Sequence, residues 1–244
     1  MVYHSIIIKH VIYLMRFFFL VMTTALLILT LNEVDGIKKI MPLVKREWVD
    51  ELIVIDGGST DGTIEEAKKM GLEVILQKSK GHGAAITLGV EITKSDNIVI
   101  FGPDGNHEPE EIIQLINKVQ KGYDQIIISR FGKDSVNLDA GRMDAFGNRM
   151  FAFLTNLFFG GDLTDVLNES RLITRKAMTE IKFDAIGLDS TLEMSIRGLK
   201  KRQKIFEIVG NEGKRIGGKR KVRSFQTGCL LVKMIVKELI FWNF

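Results

Sequence analysis

The stretch ELIVIDGGSTDGT, residues 51–63, passes from an apolar run to a turn and then to the start of a polar segment. Its first six residues are mostly Ile, Leu and Val, which favour a buried strand. Asp56-Gly57-Gly58 ends the run, because Asp and Gly are typical turn residues. The stretch therefore predicts a β-strand that leads through a loop into an α-helix.

The same alternation extends along the chain from residue 25. Short apolar runs separated by amphipathic stretches are typical of βα units, so we predict an α/β fold in which helices flank a mostly parallel central sheet. The predicted strands are 25–31, 51–56, 73–77, 97–101, 124–129 and 204–209. The predicted helices are 34–46, 63–70, 83–94, 109–121, 141–160, 188–202 and 227–243.

The N-terminal region contains an apolar run, residues 17–31, that has two interpretations. At 15 residues it is shorter than the ~20 needed to cross a bilayer, and Arg16 interrupts any extension backwards. The alternative, which we favour over a membrane span, is that 25–31 is the first strand and that 1–21 is an extension or lies upstream of a true start at Met22. N-terminal sequencing of the native protein distinguishes the alternatives.

The charge of the chain is uneven. The net charge is +4 over 244 residues, but residues 195–223 contain eleven Lys and Arg against two acids. A local patch of this kind suits a phosphate-rich ligand or an anionic membrane surface, whereas a nucleic-acid partner usually requires a more widely spread charge. A solvated basic loop is the alternative. The single cysteine, Cys229, cannot form an internal disulfide, which favours a cytoplasmic location.

Acidic side chains follow three of the predicted strands. Glu33 follows the first strand, Asp56 and Asp61 follow the second, and Asp104 follows the fourth, with Asn106 close behind it. In an open parallel sheet, ligands bind at the carboxyl ends of the strands. An acid can accept hydrogen bonds from a nucleotide base, and an acid with a neighbouring amide can bind Mg²⁺ or Mn²⁺ against a diphosphate. We therefore predict a nucleotide-diphosphate site at this edge.

Two other nucleotide-binding classes are disfavoured. The chain has no G-x-x-x-x-G-K-[ST] segment, which argues against a phosphate-loop NTPase. Its glycine run at Gly81 and Gly83 follows the third strand and lacks the third glycine of a dinucleotide-binding loop.

The order of these segments resembles the family 2 glycosyltransferases of the GT-A (Rossmann-like) fold, particularly the branch that uses dolichyl or polyprenyl phosphate. The resemblance covers about residues 22–223 as a single catalytic domain, followed by a C-terminal amphipathic helix, 224–244. The segments are LTLNEVDGI (29–37), ELIVIDGGSTDGT (51–63), KGHGAAITLGV (80–90), FGPDGNHEPEEI (101–112), SRF (129–131), the helix from Arg142 to Gly160, DLTDVLNESR (162–171) and KRIGGKRKV (214–222).

The resemblance implies a role for each candidate residue. The donor nucleotide sugar would be bound by Glu33, Asp56, Asp61, Gly81, Gly83, Arg215, Arg220 and Lys221. Mg²⁺ or Mn²⁺ would be bound by Asp104, the second acid of the family's Asp-x-Asp motif, and by Asn106. Asp165 and Arg171 would belong to the catalytic region, with Arg171 binding a phosphate.

The chain departs from the family pattern at two places. Gly102 replaces the first acid of the Asp-x-Asp motif, so the metal would depend more on donor phosphates and water. Farther along, Glu169 and Ser170 replace the first two members of the family's Gly-aromatic-Arg element, and Arg171 retains the third.

The implied reaction is transfer of a sugar, with inversion, from a UDP- or GDP-linked donor to a polyprenyl or dolichyl phosphate at the cytoplasmic face of a membrane. A phosphate acceptor needs no base, since its second pKa is about 6. The amphipathic segment 227–243 suits peripheral attachment to a membrane, and docking of this segment onto the core of the domain is the alternative. Two alternatives remain: transfer to a glycan or protein hydroxyl with Asp189 or Glu193 as base, and a non-catalytic nucleotide-sugar-binding protein.

Overall fold

A seven-stranded sheet forms the centre of the computed structural model, which describes residues 22–217 and 224–241. The predicted extension, 1–21, residues 218–223 of the basic loop (211–223) and the end of the predicted C-terminal helix, 242–243, therefore lie outside the described residues. The strands are β1 (Thr24–Thr30), β2 (Glu51–Asp56), β3 (Glu73–Leu76), β4 (Asn97–Phe101), β5 (Gln125–Ser129), β6 (Arg171–Thr174) and β7 (Ile205–Val209). The helices are α1 (Val34–Ile40), α2 (Thr63–Lys69), α3 (His82–Ile92), α4 (Glu111–Val119), α5 (Arg142–Phe159), α6 (Arg175–Glu180), α7 (Ser190–Lys200) and α8 (Ser224–Ile240).

The strand order is β3-β2-β1-β4-β6-β5-β7. All neighbouring strands are parallel except at β6, which is antiparallel to β4 and β5. The predicted α/β fold, with helices flanking a mostly parallel sheet, is confirmed.

Three groups of buried side chains hold the helices on the sheet. Successive residues of a strand point to opposite faces, so Leu26 and Ile28 of β1 pack on one side, while Leu27 packs on the other. Burial on both faces explains why these strands are continuous apolar runs. A third group joins α5, α7 and α8, with Phe151 and Leu231 among its buried members.

Three elements differ from the prediction, and one of them is the short helix α6 (Arg175–Glu180), which was not predicted. The predicted helix 34–46 is shorter in the structure and ends at Ile40, after which the chain forms short 3₁₀ turns. The first of these turns contains Pro42, a residue that cannot donate a helical hydrogen bond. Strand β6 was not predicted, because its four residues, RLIT, are too few to show a periodic pattern.

The C-terminal helix α8 is docked on the domain by charge as well as by apolar contacts. Glu238 accepts a hydrogen bond from Arg197 Nε at 2.9 Å and forms a 2.8 Å ion pair with Lys200. Within 22–217 and 224–241, no helix combines the length and the apolar character that a membrane span requires.

The strand register brings the predicted acidic loops together. Thr30 at the end of β1 pairs with Asp56 at the end of β2, and Ile28 pairs with Phe101 at the end of β4. The loops that follow these strands therefore leave the sheet along the same edge.

Candidate active site

A cavity of about 610 Å³ opens at this edge of the sheet. Its lining comes from the loops after β1, β2, β4 and β5, from the start of α3, and from α5 and α8. Of the predicted site residues, it includes Glu33, Gly81, Asp104, Asn106 and Arg215. The sequence-predicted convergence of these loops is therefore present in the fold.

Asp56 and Asp61 organise the loop after β2. The Asp56 carboxylate is fully buried and accepts hydrogen bonds from the amides of Gly58 (2.8 Å) and Ser59 (2.7 Å). Burial alone raises the pKa of Asp61, but hydrogen bonds from Thr63 and from the Val34 amide lower it below its usual value. Gly57 and Gly58, rather than these acids, line the cavity. In this structure the two acids support the loop that faces the cavity.

Asp104 and Asn106 present oxygen atoms at the end of the cavity next to β4. Asp104 is 7% exposed, and its Oδ1 accepts a hydrogen bond from the Asn106 amide at 3.0 Å. Asn106 Oδ1 is buried and has no hydrogen-bond partner among the described residues. The described part of the chain contains no group of three or more His, Cys, Asp or Glu suited to a metal. This donor set nevertheless fits Mg²⁺ or Mn²⁺, because such ions take several ligands from phosphates and water.

Arg215 provides a cation at the same place. Its Nη2 lies 2.6 Å from Asp104 Oδ2, and its Nη1 lies 3.1 Å from Glu33 Oε1. The Ile216 amide also donates to the Asp104 carbonyl oxygen at 2.6 Å, which holds the segment before 218 against the cavity. The positive charge on Arg215 shows that this site accommodates a cation between acidic side chains. The other predicted members of the basic loop, Arg220 and Lys221, lie outside the described residues.

The pKa of Asp104 is raised to about 6, first by burial and then by repulsion from Glu169, while Arg215 opposes the shift. The folded protein thus binds this proton more tightly than the unfolded chain, whose value is near 3.8. The sign of the linkage follows: between about pH 4 and pH 6 this group lowers the free energy of unfolding as pH rises.

We expect Asp104→Asn to remove that contribution. Relative to the wild type, the variant should gain on the order of 2–3 kcal/mol in free energy of unfolding between pH 4 and pH 7, which corresponds to the two-unit shift. Urea unfolding of both proteins at pH 4, 5, 6 and 7 measures the difference. Stability profiles that run parallel over this range contradict the expectation.

The first turn of α3 packs closely on the segment 185–187. A Cβ atom at Gly83 would lie 2.0 Å from the Ala185 carbonyl oxygen, and one at Gly81 would lie 2.3 Å from that of Ile186. The Gly83 amide donates to the Gly187 carbonyl oxygen at 3.2 Å. Gly83 therefore serves packing here and is not part of the cavity lining, whereas Gly81 is.

His82 and Glu169 line the cavity and were not predicted as site residues. His82 Nε2 lies 2.9 Å from Glu169 Oε2, and His82 Nδ1 lies 2.7 Å from Ser190 Oγ. The only sign in the sequence was that Glu169 replaces a glycine of the family pattern.

Asp165 orients Arg130, another cavity residue that sequence reasoning did not select. The Asp165 carboxylate is fully buried and pairs with Arg130 through Nε at 2.7 Å and Nη2 at 3.1 Å. Asn148 donates to the same carboxylate at 2.9 Å, and Arg130 Nη1 reaches Glu212 at 2.9 Å. Asp165 therefore holds the Arg130 side chain in position and does not itself line the cavity.

The structure does not bring Arg171, Asp189 or Glu193 to the cavity. Arg171 is fully buried beneath α7, where its guanidinium donates to the carbonyl oxygens of Asn168 (2.7 Å) and Thr191 (3.2 Å). Burial lowers its pKa to about 10. The predicted phosphate contact is therefore corrected to a structural role.

The two predicted bases are placed elsewhere as well. Glu193 is fully buried, pairs with Arg197 at 2.8 Å and accepts a hydrogen bond from the Ala185 amide at 2.8 Å. Asp189 faces a separate groove that it shares with Lys233 of α8. Both were predicted from their position on one helix, which does not determine the face to which each side chain points.

The chain is similar to known proteins over most of its length. Residues 26–182 match the model of glycosyl transferase family 2. Glycosyltransferase AglJ of Haloferax volcanii is 30% identical over 176 residues, 70% of this chain and 58% of AglJ, so this chain spans less than two thirds of that relative. The dolichyl-phosphate hexose transferase of the same organism is 28% identical over 211 residues, 85% of this chain and 90% of the relative.

Solved structures agree on the fold. Glucosyl-3-phosphoglycerate synthase from Mycobacterium tuberculosis, in complex with UDP, has a TM-score of 0.70 at 20% identity and covers 90% of this chain and 80% of its own. A complex of that enzyme with Mn²⁺, UDP-glucose and phosphoglyceric acid has a TM-score of 0.68 at 22% identity, with 91% of this chain and 80% of that chain covered. Because the family model matches more than half of the residues, this chain belongs to glycosyl transferase family 2 and is a glycosyltransferase.

Proposed function

We propose that this glycosyltransferase moves a sugar, with inversion, from a UDP- or GDP-linked donor to a polyprenyl or dolichyl phosphate. The observation that carries the proposal is the meeting of Asp104, Asn106 and Arg215 at one place in the cavity. Oxygen ligands and a guanidinium group at one place suit a diphosphate with its divalent cation.

The donor would bind along the edge formed by the loops after β1, β2 and β4. Glu33, Gly57 and Gly58 line this part of the cavity, and we assign them to the base and ribose, with Asp56 and Asp61 supporting the loop. Asp104 and Asn106 would bind Mg²⁺ or Mn²⁺, which when bound neutralises charge on the leaving diphosphate. The M. tuberculosis neighbour with Mn²⁺ and UDP-glucose supports this assignment.

Arg215 has the chemistry to contact the donor phosphates. Its planar guanidinium group pairs well with two oxygens at once, and it already pairs with two carboxylates here. With a divalent cation bound at Asp104, the N–H donors of Arg215 would be available to phosphate oxygens. We assign Arg220 and Lys221 of the same basic loop to this phosphate contact as well.

In the proposed reaction an acceptor phosphate oxygen attacks the anomeric carbon of the sugar. A new carbon–oxygen bond forms as the bond from that carbon to the donor phosphate breaks, and the electron pair leaves with the nucleoside diphosphate. An ionised phosphate needs no base to attack. The placement of Asp189 and Glu193 outside the cavity agrees with an acceptor of this kind.

The exposed surfaces of α5 and α8, two helices that contribute to the cavity lining, support a lipid-linked acceptor. Met143 and Gly147 of α5 and Gly228 of α8 line the cavity. These helices expose an unusual number of apolar side chains for a domain surface. They are Met143, Phe146, Phe153, Leu157 and Phe158 on α5, and Phe225, Val232, Val236 and Ile240 on α8. Exposed cationic residues accompany them, namely Arg142, Arg149 and Lys233. Such a surface suits peripheral attachment to an anionic membrane.

We expect the double change Phe146→Gln and Phe153→Gln to weaken membrane binding at least tenfold. The two rings are 64% and 62% exposed, and each contributes ~1.5–3 kcal/mol once buried in lipid. Vesicle flotation with neutral and with anionic lipid measures the effect. The control is Leu43→Gln with Leu76→Gln, which changes side chains that are 54% and 57% exposed and lie outside both helices. Equal losses in both doubles argue against a membrane surface on α5.

The transfer assay tests the acceptor directly. Purified protein is incubated with radiolabelled UDP- or GDP-sugars, Mn²⁺ and either polyprenyl phosphate or the corresponding polyprenol. The proposal expects label in lipid with the phosphate alone, and it expects Asp189→Ala and, where it folds, Glu193→Ala to retain turnover per folded molecule. Transfer to polyprenol at a comparable rate contradicts the phosphate acceptor, and donor binding with no transfer to any acceptor contradicts this catalytic role.

A further inference from the structure

The space beside Gly102 is filled by a carboxylate from another segment of the chain. A Cβ atom built at Gly102 would lie 2.2 Å from Glu169 Oε1. No side chain can therefore stand at position 102 while Glu169 keeps its place. Both residues line the cavity, next to Asp104.

The two positions depart from the family pattern in opposite ways. Position 102 has a glycine where the family has the first acid of its metal motif, and position 169 has an acid where the family has a glycine. Taken alone, the glycine at position 102 removes a metal ligand, and the acid at position 169 has no evident purpose. Because the Glu169 carboxylate fills the space beside Gly102, the two departures together amount to an exchange of an acid and a glycine between the two positions.

We propose that Glu169 supplies the second protein carboxylate of the cation site formed by Asp104 and Asn106, in place of the acid missing at Gly102. This inference rests on the proposed function, because it assumes that a divalent cation accompanies the donor diphosphate. It assigns a cation ligand to a segment that the family motif does not include.

The neighbours of Glu169 hold it in this position. His82 Nε2 lies 2.9 Å from Glu169 Oε2, so one oxygen is fixed and Oε1 is directed over Gly102. Since a carboxylate only accepts hydrogen bonds, a neutral His82 carries its proton on Nε2, and Ser190 then donates to Nδ1 across 2.7 Å. His82 and Ser190 are thus positioning residues for the carboxylate.

The charges agree with a shared cation. Glu169 and Asp104 repel each other, and Arg215 attracts both. A divalent cation between the two carboxylates would relieve that repulsion more strongly than one guanidinium group does. If Glu169 served only as a partner for His82, removal of its charge would leave cation binding unchanged.

Mn²⁺ binding provides a measurement that does not depend on catalysis. Free Mn²⁺ is followed by electron paramagnetic resonance during titration of the full chain with saturating UDP, and the series is repeated with GDP. We expect Glu169→Gln, which preserves the shape of the side chain, to weaken Mn²⁺ binding at least tenfold. The control Glu108→Gln removes an exposed acid beside the same loop, and its affinity should equal that of the wild type.

The exchange variant, Gly102→Asp with Glu169→Gly, tests the idea from the other direction. It returns the acid to position 102 and removes the atom with which the new side chain would collide. We expect its Mn²⁺ affinity to be within about threefold of the wild type, whereas Glu169→Gly alone should be as weak as Glu169→Gln. Melting temperatures establish that each variant is folded.

The outcomes separate the two proposals. Unchanged affinity in Glu169→Gln, or a folded exchange variant that binds no better than Glu169→Gly, overturns the role of Glu169. If instead the wild type binds no Mn²⁺ with either nucleotide, both the role of Glu169 and the proposed metal-assisted function are contradicted. Should Glu169→Gln not fold, the comparison between Glu169→Gly and the exchange variant decides.

Discussion

Asp104→Asn is expected to lower the rate of sugar transfer by a factor of about 10²–10³, the usual cost of removing one group that stabilises charge in a transition state. Asp104 is the buried carboxylate at the end of the cavity, and Asn keeps its size but not its charge. The proposed cation would lose its principal ligand. Initial rates at saturating Mn²⁺ and acceptor measure the loss.

The same substitution should not unfold the domain, because burial makes the charged form of this side chain less favourable in the folded state than in the unfolded chain. Asp134→Asn is the matched control, since Asp134 is exposed and lies outside the cavity. It should leave the rate unchanged. An Asp104→Asn enzyme with more than a tenth of wild-type activity contradicts the assignment of Asp104 to the cation.

Asp165→Ala is expected to destabilise the protein by about 3–5 kcal/mol, the cost of removing one partner from a buried ion pair. The Asp165 carboxylate accepts two hydrogen bonds from the Arg130 guanidinium group, one from the Arg130 amide and one from Asn148. Without it, the Arg130 charge loses its main partner inside the protein. Chemical unfolding at pH 7 measures the change.

The control is Asp162→Ala, which makes the same chemical change at an exposed residue three positions away and should cost no more than about 0.5 kcal/mol. The pH dependence gives a second criterion. Burial raises the pKa of Asp165, but Arg130 lowers it below the unfolded value. The stability that Asp165 contributes is therefore present at neutral pH, and it is lost as pH falls from the unfolded pKa through the lower folded pKa. Similar costs in the two variants contradict the structural importance of this pair.

The strands of the repeating βα units could be predicted from the sequence. The runs in β1, β2, β4 and β5 are apolar on both faces, which reflects burial in a parallel sheet, and their predicted bounds are within about one residue of the observed strands. Strand β6 was missed because four residues carry no period and because its place between β4 and β5 depends on a long-range antiparallel pairing.

The candidate site was predictable where strand order alone places residues together. Glu33, Asp104 and Arg215 meet at the cavity, as the loops of a parallel sheet require. The direction in which a side chain points was not predictable in the same way. Arg171 lies on a strand whose existence was unknown, and its guanidinium donates to backbone carbonyls under α7 instead of reaching a phosphate.

The pair Gly102 and Glu169 is the clearest example of a contact that could not be predicted from the sequence. The sequence revealed two separate departures from a motif, 67 positions apart. Only the three-dimensional structure shows that the Glu169 carboxylate fills the space beside Gly102. This contact depends on how the segment before β6 crosses the loop after β4. His82 was missed for the same reason, as its partners Glu169 and Ser190 are both distant in sequence.

The central claim is that the cavity binds a nucleoside diphosphate through a divalent cation at Asp104. Isothermal titration of UDP and GDP into the wild type and into Asp104→Asn, each with Mn²⁺ and with EDTA, tests it most directly. We predict that one of the two nucleotides binds the wild type at least tenfold more tightly with Mn²⁺ than with EDTA, and that Asp104→Asn abolishes this difference. Equal affinity with and without Mn²⁺ in the wild type, or the same Mn²⁺ enhancement in both proteins, would contradict the account.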